Sequence, residues 1–287
     1  MKKYLFFAFC IVPMFLFAQS TPEIVLKRNT KGLTTLKLSL VNKGKVDVDW
    51  GDGNRKTYEV NDESRIIDVT AVSEEVKRNA VIKIYGAGIK VFSCLDQFIT
   101  LLDVKQAQNL MTLDCGKNYL ETIDVSQNKS LRTLLVHANR LKSLDISQNT
   151  RLTYLNCSYN YLKTLDVSKN VNLSYLNFSD NLMNKINLGK QKALRSLSLS
   201  GNKFKKLEVK DFSNIKFLDL TYNKFNACAL NSIYSHLPEK KEEGESVEKK
   251  TSLLVANNKG IVASKTSIVT QKGWVVDVEG RGVSNCF

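Results

Sequence analysis

Cysteine, histidine and aspartate are the residues here whose types and spacing first invite a chemical role. Cys94, Cys115 and Cys157 stand 21 and 42 residues apart, and Val136, Phe178, Leu199 and Leu220 continue the same 21-residue register. Zinc needs several thiolates or imidazoles converging, and neither His137 nor His236 falls on this column. A cysteine that alternates with plain hydrophobes reads as a small buried apolar residue; a Cys94–Cys115 bridge or a metal site are the alternatives. Asp103, Asp124, Asp145 and Asp166 form a second column at the same spacing. Stacked acids of that kind could hold calcium, but each is followed by Val or Ile, with no glycine-rich loop to wrap an ion. The reading adopted is that these carboxylates cap turn amides. There is no G-x-S-x-G, no H-E-x-x-H and no phosphate loop, and Gly86-Ala87-Gly88 stops short of a dinucleotide fingerprint. The expectation is therefore a chain that is not an enzyme and carries no cofactor and no metal. A periplasmic enzyme or inhibitor is the minor alternative.

The 21-residue period governs the middle of the sequence. Segments beginning at Ile89, Leu110, Leu131, Leu152, Leu173, Leu194 and Ile215 repeat in register; we number them rungs 1 to 7 and their positions slots 1 to 21. Slot 4 holds Phe92, Leu113, Leu134, Leu155, Leu176, Leu197 and Leu218, and slot 9 holds Gln97 followed by Asn118, Asn139, Asn160, Asn181, Asn202 and Asn223. One such unit cannot bury its own apolar face, so the units must stack as parallel rungs, each covering its neighbours. Slots 4 and 6 flank an outward residue, as the period of two in a strand requires. The slot 9 asparagine turns the chain out of the strand, and its amide can satisfy backbone groups that the turn leaves unpaired.

Leu152-Thr-Tyr-Leu155-Asn-Cys157-Ser-Tyr-Asn160-Tyr-Leu162-Lys-Thr-Leu165-Asp166-Val167-Ser168-Lys-Asn170 shows the full pattern. It resembles the 21-residue repeat of secreted bacterial leucine-rich-repeat proteins, the internalins and the surface leucine-rich-repeat proteins of Gram-negative bacteria. The resemblance spans residues 89 to 228. It implies an α/β-type solenoid, predominantly β, wound as a right-handed superhelix with a β-rich N-terminal cap and a mixed C-terminal cap. It also implies a role in surface adhesion or interaction.

The ends fix the compartment and the caps. Lys2 and Lys3 precede an apolar run from Tyr4 to Phe17, and Ala18 precedes the polar Gln19-Ser20-Thr21-Pro22. Residues 1–18 therefore read as a secretory signal rather than a membrane span, and no integral membrane segment is expected after its removal. The formal charge falls from +14 to +12 when Lys2 and Lys3 leave. For an exported chain that charge does not point to nucleic acid; anionic glycans or acidic proteins fit it better. Residues 19–88 read as a β-rich cap, with Leu36 to Leu40 and Val46 to Trp50 alternating ahead of Gly51-Asp52-Gly53-Asn54. The Trp-Gly-Asp-Gly string is similar to the signature of PKD-type domains. Asp47, Asp49 and Asp52 serve there as hairpin polar residues, with calcium binding as the alternative. Residues 229–287 read as a C-terminal cap holding a short helix from Ala229 to Leu237, a charged loop, one degenerate rung with Leu253, Val255 and Asn258, and a strand from Trp274 to Val278. Cys228 and Cys286 are the candidate disulfide, with two separate thiols as the alternative.

Two exposed faces remain to carry function. On the concave sheet, Arg132, His137, Tyr154, Asn156, Tyr159, Tyr175, Asn177, Arg195, Lys216, Phe217 and Tyr222 combine aromatics, arginines and small polar groups, the composition of a recognition patch. Exposed strand positions favour Tyr and Thr in any case. On the edge that follows the asparagines, Arg140, Lys142, Lys163, Lys185, Lys203, Lys205, Lys206 and Lys224 line up through slots 10, 12 and 13. Ordinary solubility charge explains such a set, and a stripe tracking a polyanion is the functional reading. The expected function is binding of a protein partner or host matrix component across the concave sheet. An anionic glycan on the basic edge is the alternative.

Overall fold

A computed structural model describes residues 21–29, 35–41, 44–60, 67–72, 80–86, 88–188, 191–208, 212–239 and 251–278. The expected signal segment 1–18 and the charged loop at 240–250 lie outside them.

Each repeat contributes one three-residue strand: β7 (Val91–Ser93), β9 (Thr112–Asp114), β10 (Thr133–Leu135), β11 (Tyr154–Asn156), β12 (Tyr175–Asn177), β13 (Ser196–Ser198) and β14 (Phe217–Asp219). They pair in parallel with no register shift, so that Thr133 opposes Tyr154, Tyr154 opposes Tyr175 and Tyr175 opposes Ser196. The slot 4 leucines are fully buried, as are the slot 6 residues Cys94, Cys115, Val136, Cys157, Phe178, Leu199 and Leu220. The three cysteines are free thiols, and burial pushes the Cys157 thiol up to about 12.

The strands are short because the chain turns sharply at slot 8. Lys117, Ala138, Tyr159, Asp180 and Tyr222 all take left-handed φ values of 52–54°, and only Gly201 places a glycine at that position. A residue other than glycine is uncommon in that region because of its Cβ, so something must hold it. Asn160 does so in rung 4. Its Oδ1 accepts the Leu141 N–H at 2.9 Å, and its Nδ2 donates to the carbonyls of Val136, Cys157 and Ser158 at 3.0–3.2 Å. Asn139, Asn181 and Asn202 repeat this set, and Asn258 extends it beyond rung 7 through Phe225 and Leu220. A second ladder runs through slot 19. There, Asn128, Asn149 and Asn170 each donate to two carbonyls of the preceding rung at 2.8–3.0 Å, and Gln191 donates to the Val167 carbonyl at 2.7 Å.

The N-terminal region is a β structure that shares both its sheets with the first rung. Strands β1 (Ile24–Arg28), β3 (Gly44–Asp49), β4 (Arg55–Val60) and β6 (Val81–Tyr85) form a five-stranded sheet, order β4-β3-β6-β1-β8. Its last member, β8 (Ile99–Asp103), belongs to rung 1 and pairs antiparallel with β1. Strands β2 (Thr35–Val41) and β5 (Ile67–Val72) instead continue the repeat sheet, with β2 antiparallel to β7. At the Trp-Gly-Asp-Gly turn, Asp49 accepts the N–H groups of Gly51 and Gly53, while Asp47 accepts from the Thr57 hydroxyl. Gly51 has φ 98°, and a Cβ there would lie 2.3 Å from that of Ala80.

Past rung 7, Asn226 caps helix α1 (Ala227–His236) by accepting the Ala229 N–H. The helix begins two residues earlier than its sequence suggests. Strand β15 (Ser252–Leu254), helix α2 (Ser267–Gln271) and strand β16 (Val275–Asp277) follow, and both strands add in parallel to complete an eleven-stranded sheet. The degenerate rung is thus a true continuation of the stack. Cys228 is disulfide-bonded; Cys286, its expected partner, lies outside the described residues.

Candidate functional site

Parallel register turns each outward slot into a line across the sheet. Slot 3 sets Tyr154 beside Tyr175, with ring centroids 4.0 Å apart and planes 3° from parallel. Phenol and phenol press together, and burial, then the Tyr175 hydroxyl, pushes Tyr154 up to about 12. Slot 5 places Asn156 beside Asn177 on the same two strands. Phe217 stands two rungs further along slot 3, with Ser196 between. Arg132, Arg195 and Lys216 are exposed on slot 2. Tyr159 and Tyr222 occupy slot 8, three rungs apart, and are 61% and 63% exposed. The Asp180 carboxylate raises the Tyr159 phenol by its charge, with partial burial as a smaller cause. His137 lies two residues past β10, in the turn rather than on the strand, and its ring covers Gly116, where a Cβ would come within 2.2 Å of it. The structure therefore brings Tyr154, Tyr175, Asn156 and Asn177 into one cluster and spreads the other candidates around it.

Two features of this face escape a reading by residue type. The first is the role of slot 5. Asp114, Asn156, Asn177 and Asp219 each use Oδ1 to accept the backbone N–H two residues on, from Gly116, Ser158, Ser179 and Thr221, at 2.9–3.2 Å. The second is a hydroxyl chain joining rungs 5 to 7. Ser179 and Ser198 hydroxyls meet at 2.6 Å, Ser198 donates to Asp219 Oδ2 at 3.1 Å, and Thr221 donates to Asp219 Oδ1 at 2.7 Å. Small hydroxyl residues recurring at slot 7 (Ser158, Ser179, Ser200, Thr221) were its signal.

The eight basic-edge residues, Arg140, Lys142, Lys163, Lys185, Lys203, Lys205, Lys206 and Lys224, are all exposed. Arg140 lies over the Tyr119 ring at 4.6 Å, and Lys206 pairs with Glu208 at 3.5 Å. The slot 15 aspartates accept the N–H of slot 17: Lys105 for Asp103, Ser126 for Asp124, Ser147 for Asp145 and Ser168 for Asp166, at 2.8–3.0 Å. Among the described residues no group of three or more His, Cys, Asp or Glu is placed to hold a metal ion. No helix among them is long and apolar enough to cross a membrane.

Stacked parallel rungs, one short strand each, with an asparagine ladder at the turn, define a leucine-rich-repeat solenoid. The family model for the Leucine Rich Repeat matches residues 193–215, which span the end of rung 5, rung 6 and the start of rung 7. Among solved structures, internalin C2 of Listeria monocytogenes is similar at 18% identity and TM-score 0.53, over 66% of this chain and 80% of that one. A leucine-rich-repeat protein of Leptospira interrogans is similar at 23% identity and TM-score 0.51, over 61% of this chain and 44% of its own. The functional domain of InlJ from Listeria monocytogenes, which includes a cysteine ladder, aligns at 24% identity and TM-score 0.40 over 73% of this chain. The chain covers 57% of that domain, less than two thirds of its length. No curated protein matches the chain in sequence. Repeat and fold are those of a leucine-rich-repeat solenoid, similar to the solved solenoids above.

Proposed function

We propose that this is an exported or surface-associated binding protein that holds a protein partner, such as a host matrix component, against its concave sheet. Solenoids of this kind offer extended concave binding surfaces. The observation that carries the reading is the in-register Tyr154–Tyr175 pair with Asn156 and Asn177 beside it. Aromatic side chains supply large contact area at low entropic cost, and amides add directional bonds around them. Export rests on the N-terminal sequence and adhesion on the resemblance to surface proteins.

The test is a binding measurement with the chain lacking residues 1–18, against immobilised matrix proteins and a glycan array. Tyr154→Ala with Tyr175→Ala should remove protein binding by tenfold or more. It should cost only about 1 kcal/mol of stability, the worth of an aromatic pair. Unchanged binding would retire the concave site.

One observation favours a second reading, an anionic glycan on the basic edge: all eight of its cationic side chains reach solvent. Binding that falls steeply between 50 and 200 mM salt and survives the tyrosine changes would select this reading, because counterion release demands that dependence.

A further inference from the structure

Rung 1 departs from the rungs after it where the N-terminal region meets the repeats. Among the slot 10 residues only Phe98 takes a left-handed φ, 59°. A bulky side chain is rare in that region, and strain of this kind gathers at functional sites. The Phe98 carbonyl accepts the Asn29 N–H at 2.9 Å, and Thr100 Oγ1 donates to the Lys27 carbonyl at 3.3 Å. Beside these bonds lies a cavity of about 470 Å³, lined by Asn29, Phe98 and Thr100 and, from rungs 2 and 3, by Tyr119, Glu121, Thr122 and Arg140. Its size is that of a small-ligand site, and it sits where two structural units join, a frequent place for one.

On the concave sheet the polar side chains satisfy one another, as Ser198 and Thr221 do with Asp219. In this cavity they do not. Arg140 lies over the Tyr119 ring at 4.6 Å, and Phe98 meets Tyr119 in a T-shaped contact, centroids 5.7 Å apart. A cation held over a ring is fixed in place without using any of its N–H donors. Among the described residues none accepts a hydrogen bond from that guanidinium, and none bonds the Asn29 amide, the Glu121 carboxylate or the Thr122 hydroxyl. Arg140 and Glu121 line one hollow and form no ion pair there. Each of these groups is left to water or to a ligand.

The chemistry of the lining selects the ligand. Donors and acceptors around one hollow suit a polyol, whose hydroxyls donate and accept at once. The planar N–H fork of Arg140 suits a carboxylate. A peptide finds less: the lining offers no aliphatic pocket for an apolar anchor. Nor can a strand add to β8, which pairs with β1 on one side and accepts the Tyr119 N–H at the Ile99 carbonyl on the other. Past Arg140, the exposed Lys142 and Lys163 give the rest of an acidic chain a path along the edge. We propose that this cavity binds a carboxylated saccharide, its carboxylate on Arg140 and its hydroxyls on Glu121, Asn29 and Thr122. This rests on the glycan reading of the basic edge and gives that ligand a specific seat.

The experiment measures binding of the chain lacking residues 1–18 to oligosaccharides carrying uronic or sialic acid, to the same compounds with the carboxylate reduced to an alcohol, and to short acidic peptides. Binding by either acid sugar supports the seat, and reduction should weaken it at least tenfold. Arg140→Lys keeps the charge but removes the fork, and should also weaken binding at least tenfold. Glu121→Ala separates this site from a plain charged stripe. Removing an acid from beside an anion should tighten binding if charge alone acts, whereas losing a hydroxyl acceptor should weaken it at least threefold. Both side chains are exposed, so an unmoved urea midpoint checks that each variant keeps the fold. Equal binding after reduction, unchanged binding by Arg140→Lys, tighter binding by Glu121→Ala, or a preference for the peptides overturns the assignment. If acidic saccharides bind and only Lys163→Gln with Lys203→Gln weakens them, the edge reading stands and the cavity falls. If no saccharide binds, both fall.

Discussion

The two asparagine ladders look alike in sequence and do different work. At slot 9, Asn160 accepts the Leu141 N–H, which has no other acceptor, and adds second donors to carbonyls that already have one. At slot 19, Asn149 donates to the carbonyls of Val125 and Asn128, which also receive the N–H groups of Asn128 and Leu131. Its Oδ1 is buried without a partner, as are those of Asn128 and Asn170. A carbonyl has two lone pairs and tolerates losing one donor, whereas an N–H has a single proton and nowhere else to send it. The lesson is that a repeated buried amide is indispensable where it accepts and merely helpful where it donates.

Three changes test that contrast, in falling order of effect. Asn160→Leu should lower stability by about 3 kcal/mol or more, since it strands a buried N–H and strips donors from three carbonyls; a shift in the urea midpoint worth under about 1 kcal/mol would break the comparison. Asn149→Leu, which strands no N–H and removes an unpartnered oxygen, should cost about 1 kcal/mol in the same assay. A loss equal to that of Asn160→Leu would show that shared carbonyls matter as much as lone amides. The smallest effect belongs to the turn leading into slot 19. Asp124 and Asp145 lie below the usual carboxylate range, chiefly because the Ser126 and Ser147 N–H groups bond them. A carboxylate lowered on folding contributes stability that is present above its unfolded pKa and lost as pH falls through the folded one. Replacing both by Asn should therefore flatten the acid limb by removing this small contribution at pH 7, and leave stability almost unmoved at low pH, where both aspartates are already protonated. An acid limb as steep as that of the unaltered protein would assign the loss to other carboxylates.

Much of this was readable from the chain alone, for identifiable reasons. The rungs and the slot 9 ladder declare themselves because one register repeats Leu, Asn and Leu, and each needs its neighbour to be buried. Slot 19 carries the same residue, but its role depends on which carbonyls already have donors, and only coordinates show that. Slot 8 gave no warning of its left-handed turn, because the ladder holds Lys117, Tyr159 and Tyr222 there without glycine. Strand β8 was hidden for a different cause: Ile99–Asp103 fills the slots that form no strand in later rungs, and it extends only because β1 lies beside it. In the concave patch, Tyr154 with Tyr175 and Asn156 with Asn177 were legible as columns. That Asp114, Asn156, Asn177 and Asp219 each commit Oδ1 to the backbone N–H two residues on was not.

Because rung 1 is sewn to the N-terminal region along two separate sheets, through β2 to β7 and β1 to β8, that region is no detachable lid. Cutting the chain ahead of residue 88 would leave two raw strand margins on opposite flanks of the same coil. Each would be a template for a neighbouring molecule, so the shortened protein should clump before it unfolds.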